Sequence, residues 1–149
     1  MKRISVVTDI AAPVETVWAE LCTVSKYPEW NPFITTFDGA LAEGSRPTIR
    51  IAPPGGRAMT FRPTITRIDE RRHLEWLGRV VLPGIFDGRH SFHLQALPDD
   101  RTRLTQTEEF SGLLVAFTGT VLERTRAGFA AMNQALRVRA ETTAAANIP

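Results

Sequence analysis

The stretch that decides the fold is APVETVWAELCTVSKYPEWNPF, residues 12–33. It follows a short apolar segment, residues 4–10, whose composition is typical of a strand. Pro13 suits the first turn of a helix because its missing N–H would have no partner there, and Glu15 favours the same end through the helix dipole. The apolar positions that then recur at helical spacing are Val14, Val17, Trp18 and Leu21. A strand followed by an amphipathic helix is therefore predicted.

A second, shorter helical piece is predicted over residues 26–30. Ser25 can cap its start with a side-chain oxygen, and Pro32 ends it because proline cannot continue the helical hydrogen bonding. Two short helices are thus expected between the first and second strands.

Composition limits the class of protein. A chain of 149 residues with 43% hydrophobic and 23% charged residues is typical of one globular domain, residues 1–149. The single Cys22 excludes an intramolecular disulfide, and no apolar run approaches the ~20 residues of a membrane span. The net charge of +2 and scattered arginines argue against a nucleic-acid partner. We expect a cytoplasmic protein, a monomer or homodimer.

Turn residues divide the middle of the chain into extended segments. Pro53-Pro54-Gly55-Gly56 and Pro98-Asp99-Asp100 are the strongest turn signals. The strands predicted between these turns, after residues 4–10, are residues 33–41, 47–52, 58–69, 73–80, 85–97 and 103–110. We expect an antiparallel meander whose last strand pairs with the first.

A long helix is predicted from Ser111 or Gly112 to about residue 144. Its apolar positions recur at steps of three and four: Leu114, Phe117, Val121, Thr125, Phe129, Met132 and Leu136. At ~1.5 Å per residue such a helix is long enough to cross a whole sheet. Gly119 and Gly128 lie inside it, and they either permit close packing or leave room for a ligand.

Three motifs carry a family resemblance: YPEWNPF at residues 27–33, FDGRHSF at 86–92 and TRLTQTEEFSGLL at 102–114. With the element order they resemble the SRPBCC (START-like, helix-grip) superfamily, and within it bacterial members of the polyketide cyclase/dehydrase type. The resemblance implies an α+β fold, a seven-stranded antiparallel sheet curved around the long C-terminal helix. It also implies a small-molecule cavity between sheet and helix.

Strand alternation predicts polar groups that face this cavity. Because Phe92 faces the helix, His90 shares its face, and the same alternation turns Gln106 and Glu108 inward from the last strand. A hairpin closing around residues 99–101 would set Phe92 opposite Glu108, with His90 diagonal to that carboxylate and within its reach. An inward carboxylate is costly unless it pairs or contacts water.

Three roles for His90 and Glu108 remain open at this point. They could orient a carbonyl or hydroxyl of a ligand, act as a catalytic acid–base pair, since His titrates near neutral pH, or form a structural pair. The predicted ligand-binding residues are Trp30, Phe33, Trp76, Phe86, His90, Phe92, Gln106, Glu108, Phe117, Val121, Phe129 and Met132.

The function expected from these features is binding of a small hydrophobic molecule such as a lipid, an isoprenoid or a polyketide-like ring. The alternatives are a polyketide aromatase/cyclase or dehydratase that uses His90 and Glu108, and a protein-interaction module with an exposed apolar patch. No phosphate loop or nucleophile elbow occurs, and His90 and His93 point to opposite faces of a strand. We therefore expect no metal and no cofactor.

Overall fold

The strands and helices follow the predicted order, except that one predicted strand is divided in two. A computed structural model describes residues 1–80, 83–117 and 119–148. The strands are β1 (Lys2–Ile10), β2 (Ile34–Asp38), β3 (Thr48–Ile51), β4 (Met59–Phe61), β5 (Thr64–Asp69), β6 (His73–Val80), β7 (Phe86–Leu97) and β8 (Arg101–Ser111). The α-helices are α1 (Val14–Cys22), α2 (Tyr27–Trp30) and α3 (Gly119–Ala146). Within the described residues, no helix combines the length and apolarity needed to cross a membrane.

The strands form two antiparallel sheets, so the prediction of one seven-stranded sheet is wrong. One sheet has five strands in the order β1-β8-β7-β6-β5, and the other has three in the order β2-β3-β4. The predicted strand over residues 58–69 breaks at Pro63 into β4 and β5. Proline has no N–H to donate to a ladder, and the chain uses this break to pass from one sheet to the other.

The pairing of first and last strands is confirmed, but the predicted register of the β7–β8 hairpin is wrong by two residues. Leu97 pairs with Arg101, which places His90 directly opposite Glu108. The turn is centred one residue earlier than predicted because Asp99 and Asp100 both adopt left-handed backbone angles, with φ of 63° and 52°. Aspartate tolerates this conformation better than most residues.

The C-terminal helix begins later than its apolar pattern predicts. Gly112 lies in a reversal with φ of 113°, where a Cβ atom would stand 2.5 Å from the Ile85 carbonyl oxygen. A 3₁₀ turn, Val115–Phe117, follows before α3 starts at Gly119. The buried residues of α3 begin at Thr125, and before them Leu122 packs against the core while it is only partly buried.

The open question about Gly128 is settled in favour of close packing. A Cβ atom at Gly128 would lie 2.4 Å from a ring carbon of Phe33. Phe33 is buried and meets Phe129 edge to face, with ring centroids 5.5 Å apart. The loop after α2 therefore docks on α3 through this glycine.

Candidate functional site

An imidazole is enclosed by aromatic rings between the large sheet and α3. His90 is buried, with its ring centroid 4.8 Å from Trp76, 4.8 Å from Phe92 and 4.7 Å from Phe129. Trp76 and Phe92 come from neighbouring strands and Phe129 comes from the helix. We call the space between the five-stranded sheet and α3 the grip. Its centre is thus filled by the side chains around His90.

A chain of polar side chains leads from His90 across the core to the edge of the sheet. His90 Nε2 lies 3.0 Å from Gln106 Oε1, and Gln106 Nε2 donates to Asn133 Oδ1 at 2.6 Å. Asn133 Nδ2 then donates to the Val6 carbonyl oxygen at 3.3 Å and to Thr8 Oγ1 at 3.2 Å. We call His90, Gln106 and Asn133 the polar relay.

The direction of the polar relay is fixed at its β1 end. The Val6 carbonyl can only accept, so the amide nitrogen of Asn133 must face it and the amide oxygen must face Gln106. Gln106 consequently turns its own amide oxygen to His90. His90 Nε2 must carry the proton that this oxygen accepts, which leaves a lone pair on Nδ1.

Removing Asn133 should weaken the fold measurably. The substitution Asn133→Ala leaves the Gln106 amide and the Val6 carbonyl without this partner inside the core, and we expect a loss of about 1–2 kcal/mol in the free energy of unfolding. Urea denaturation measures it. The control is Gln134→Ala on the exposed side of the same helix, expected within about 0.5 kcal/mol of wild type. Equal stabilities of the two variants would contradict the polar relay.

Glu108 lies beside this imidazole without forming a hydrogen bond to it. The two atoms that come nearest are His90 Nδ1 and Glu108 Oε2, 3.9 Å apart, beyond hydrogen-bonding distance. The Glu108 side chain is 16% exposed and bends over Gly88, where a Cβ atom would stand 2.5 Å from Oε1. Gly88 therefore provides the space in which the carboxyl lies.

Burial makes both groups uncharged near neutral pH. It raises the pKa of Glu108 from 4.5 to about 8. It lowers the pKa of His90 from 6.5 to about 3, against the opposing effect of the hydrogen bond to Gln106. His90 and Glu108 are thus a neutral imidazole beside a protonated carboxyl.

The carboxyl faces one end of the grip, which we call the open end and define by Phe61, Gly78, Phe86, Gly88 and Phe110. Gly78 and Gly88 pair across β6 and β7, and the Phe61 ring and the Glu108 carboxyl lie over the places where their side chains would stand. The Phe61 ring lies 3.4 Å from where a Cβ atom of Gly78 would stand, and the Phe86 and Phe110 ring centroids are 5.5 Å apart. The open end is an apolar surround with a carboxyl at its inner edge.

The structure brings half of the predicted site residues together. Those in the cluster around the imidazole are Trp76, His90, Phe92, Gln106, Glu108 and Phe129. Phe86 lies at the open end, and Phe33 and Met132 are buried in the core.

Three predicted residues lie elsewhere or are not described. Trp30 packs on Tyr27, with ring centroids 5.2 Å apart, and lines a surface groove with Val138 and other residues of α3. Val121 is 50% exposed, one helical turn before Thr125. The side chain of Phe117 lies outside the described part of the structure.

Sequence reasoning missed Asn133 and the role of Gly88. Asn133 is spaced four residues from Phe129 and three from Leu136, so its inward position could have been read from the helical period. Only its polarity kept it out of an apolar pattern. Gly88 carried no such signal, because its role depends on where the Glu108 carboxyl folds.

A second carboxylate, on the outer face of the sheet, contrasts with Glu108. Glu75 accepts hydrogen bonds from Thr66 at 2.8 Å and Arg89 at 2.6 Å, and lies 3.3 Å from His73. Burial opposes its ionisation, yet these hydrogen bonds outweigh burial and lower its pKa. Glu75 is therefore a satisfied anion. Across the described ranges, no three His, Cys, Asp or Glu side chains are grouped to hold a metal ion.

The sequence as a whole matches one family profile. Residues 1–141 match the family described as polyketide cyclase / dehydrase and lipid transport. The chain belongs to this family. The match confirms the resemblance that the three motifs indicated, and with it the SRPBCC type of fold. No curated protein is similar enough in sequence to match the chain.

Solved structures with the same fold come from several bacteria. A START superfamily protein from Mycobacterium smegmatis matches with a TM-score of 0.75 at 20% identity, covering 95% of this chain and 98% of that chain. The Zhui aromatase/cyclase from Streptomyces sp. R1128 matches with a TM-score of 0.75 at 17% identity, covering 98% of both chains. A hypothetical protein from Helicobacter pylori matches with a TM-score of 0.77 at 16% identity, covering 93% of this chain and 88% of that chain. At these identities the likeness establishes the fold alone.

Proposed function

We propose that the protein binds a small, largely apolar molecule at the open end, with the Glu108 carboxyl as its polar contact. One observation carries the proposal. Glu108 sits among apolar groups, and within the described residues no hydrogen bond reaches its carboxyl; His90 Nδ1 stays 3.9 Å away. A carboxyl that is 16% exposed and bonds no group of the described protein is available to a ligand.

Packing limits where the molecule can lie. Trp76, Phe92 and Phe129 already fill the centre of the grip around His90. The ligand would therefore approach Glu108 from the open end and contact the Phe86 and Phe110 rings. Covering ~200 Å² of apolar surface at ~25 cal/mol per Å² would contribute about 5 kcal/mol before the cost of association.

The family supports an apolar ligand class. Its description includes both polyketide cyclase/dehydrase activity and lipid transport, and one structural neighbour is named an aromatase/cyclase. A lipid, an isoprenoid or a polyketide-like ring fits the aromatic surround of the open end.

Binding can be tested with a neutral fluorescent probe. We expect N-phenyl-1-naphthylamine to bind saturably and to be displaced by a long-chain alcohol. In Gly88→Val the added side chain displaces the Glu108 carboxyl, so the affinity should fall at least ~10-fold. The control is Ser91→Ala, a neighbouring outward position on β7 that should bind as wild type does. Equal affinity in Gly88→Val and wild type would contradict the open end as the site.

A second candidate function has its own observation. A carboxyl whose pKa is raised to about 8 is protonated at neutral pH and can act as a general acid, as a dehydratase or aromatase requires. Incubation with a β-hydroxy aryl ketone separates the two functions. Loss of water that Glu108→Gln abolishes supports the enzyme, whereas recovery of the bound ketone unchanged supports a carrier.

A further inference from the structure

We propose that the site selects a neutral hydroxyl group, which donates to His90 Nδ1 and accepts from the Glu108 carboxyl, and that it rejects carboxylates. The inference rests on the proposed function and deepens it, because it names the chemical class that the open end would recognise. It follows from the polar relay together with the spacing of the two groups.

The acceptor is fixed by residues that no ligand touches. The Val6 carbonyl sets the orientation of Asn133, Asn133 sets that of Gln106, and Gln106 holds the proton of His90 on Nε2. Nδ1 therefore presents a lone pair toward Glu108. Gln106 and Asn133 act as positioning residues, since they decide what His90 offers without contacting the ligand.

The gap between the two groups fits one bridging oxygen. At 3.9 Å, His90 Nδ1 and Glu108 Oε2 are too far apart for a direct hydrogen bond. An oxygen about 2.8 Å from each atom would subtend roughly a right angle between them, a geometry that a hydroxyl oxygen accepts. Such a hydroxyl would donate its proton to Nδ1 and receive the carboxyl proton on a lone pair, so every donor meets an acceptor.

Other oxygen-containing groups of a ligand would leave His90 Nδ1 or the Glu108 carboxyl without a suitable hydrogen-bond partner. A ketone can accept from Glu108 but has nothing to donate to His90 Nδ1. A carboxylate would place a negative charge beside a nitrogen lone pair and a carboxyl that burial already keeps from ionising, and in the described part of the chain no Lys or Arg forms an ion pair with Glu108. Sites built to bond a hydroxyl discriminate strongly against analogues that lack it.

The tautomer of His90 can be observed without any ligand. In ¹⁵N NMR of the full chain, a protonated nitrogen and one with a lone pair resonate far apart. We expect His90 to be the Nε2–H tautomer in wild type. Gln106→Met removes the amide oxygen that accepts the Nε2 proton of His90. The tautomer with its proton on Nδ1 should then become populated, because that proton can be donated to Glu108. The control is Gln95→Met, the same substitution at an exposed position of β7, which should leave the wild-type tautomer unchanged.

Binding of matched probes then tests selectivity at pH 6.5. We expect 2-naphthol to bind at least ~10-fold more tightly than 2-naphthoate, and this ratio to fall below ~3-fold in Gln106→Met. An Nδ1–H tautomer in wild type, or naphthoate binding as tightly as naphthol, overturns the inference and leaves the proposed function standing. Failure of the neutral probe N-phenyl-1-naphthylamine to bind overturns the proposed function, and this inference falls with it.

Discussion

Glu108→Gln should stabilise the protein by several kcal/mol at mildly alkaline pH. The folded state holds the Glu108 carboxyl protonated up to about pH 8, whereas the unfolded chain ionises it near its ordinary pKa of 4.5. The folded state thus binds the extra proton between these values, and stability falls as pH rises through that window by ~1.4 kcal/mol per unit. Glutamine has nearly the shape of the Glu108 side chain and does not ionise, so the variant should not lose stability as the pH rises.

On the acid side, His90 makes the free energy of unfolding change with pH in the opposite direction. Its pKa is lowered from 6.5 to about 3, so the unfolded chain binds the extra proton in that window and stability falls as pH decreases. Between pH 4.5 and 6.5 the slopes of His90 and Glu108 cancel. Wild-type stability should therefore have a plateau there and decline on both sides.

Thermal unfolding from about pH 3 to about pH 8 measures both declines. At pH 7.5 we expect Glu108→Gln to gain on the order of 2–4 kcal/mol, or about 5–10 °C in Tm, and to gain little at pH 5. The control is Glu109→Gln, a neighbouring position of β8 on the opposite face. It should leave the alkaline decline in place. An unchanged decline in Glu108→Gln would show that Glu108 ionises normally in the folded protein.

Gly128→Val should be the most damaging single substitution in α3, with an expected loss of about 3–4 kcal/mol. Even the first added carbon would stand 2.4 Å from the Phe33 ring, which is buried and held edge to face against Phe129. The ring has no exposed side toward which it can move. The better helix propensity of valine over glycine, well under 1 kcal/mol, cannot offset such a clash.

The same substitution at the other glycine of the helix isolates the cause. A Cβ atom at Gly119 meets nothing within 4 Å, so Gly119→Val should stay within about 0.5 kcal/mol of wild type in urea denaturation. Adding Phe33→Leu to Gly128→Val should recover part of the loss, because the smaller side chain leaves room. Additive effects of these two substitutions would mean that Phe33 and Gly128 do not share the contact.

The inward direction of His90, Gln106 and Glu108 could be predicted from sequence, because strand alternation needs only one anchored apolar residue. The register of the β7–β8 pair, which sets His90 opposite Glu108, could not be predicted. It depends on the backbone angles of Asp99 and Asp100, which move the hairpin centre by one residue and the pairing by two. A rule based on composition sees a turn at that place but not its exact geometry.

The number of sheets was mispredicted for a related reason. Pairing between strands is non-local, and a run of extended residues does not say which neighbour it will meet. Pro63 was a usable signal inside the predicted strand at residues 58–69, because a central strand excludes proline. The charge states of His90 and Glu108 lay beyond sequence altogether, since both follow from burial.

The break at Pro63 also separates the residues of the polar relay from Phe61, because the two lie on opposite sides of the break. All members of the polar relay and its partner Glu108 stand on the five-stranded sheet or on α3, while Phe61 reaches the open end from the three-stranded sheet. Because no ladder runs through Pro63, loops of the small sheet can lengthen or shorten without shifting the register that aligns His90 with Glu108. If the protein binds a ligand as proposed, residues of the small sheet can change the shape of the site without changing the groups that bond the ligand.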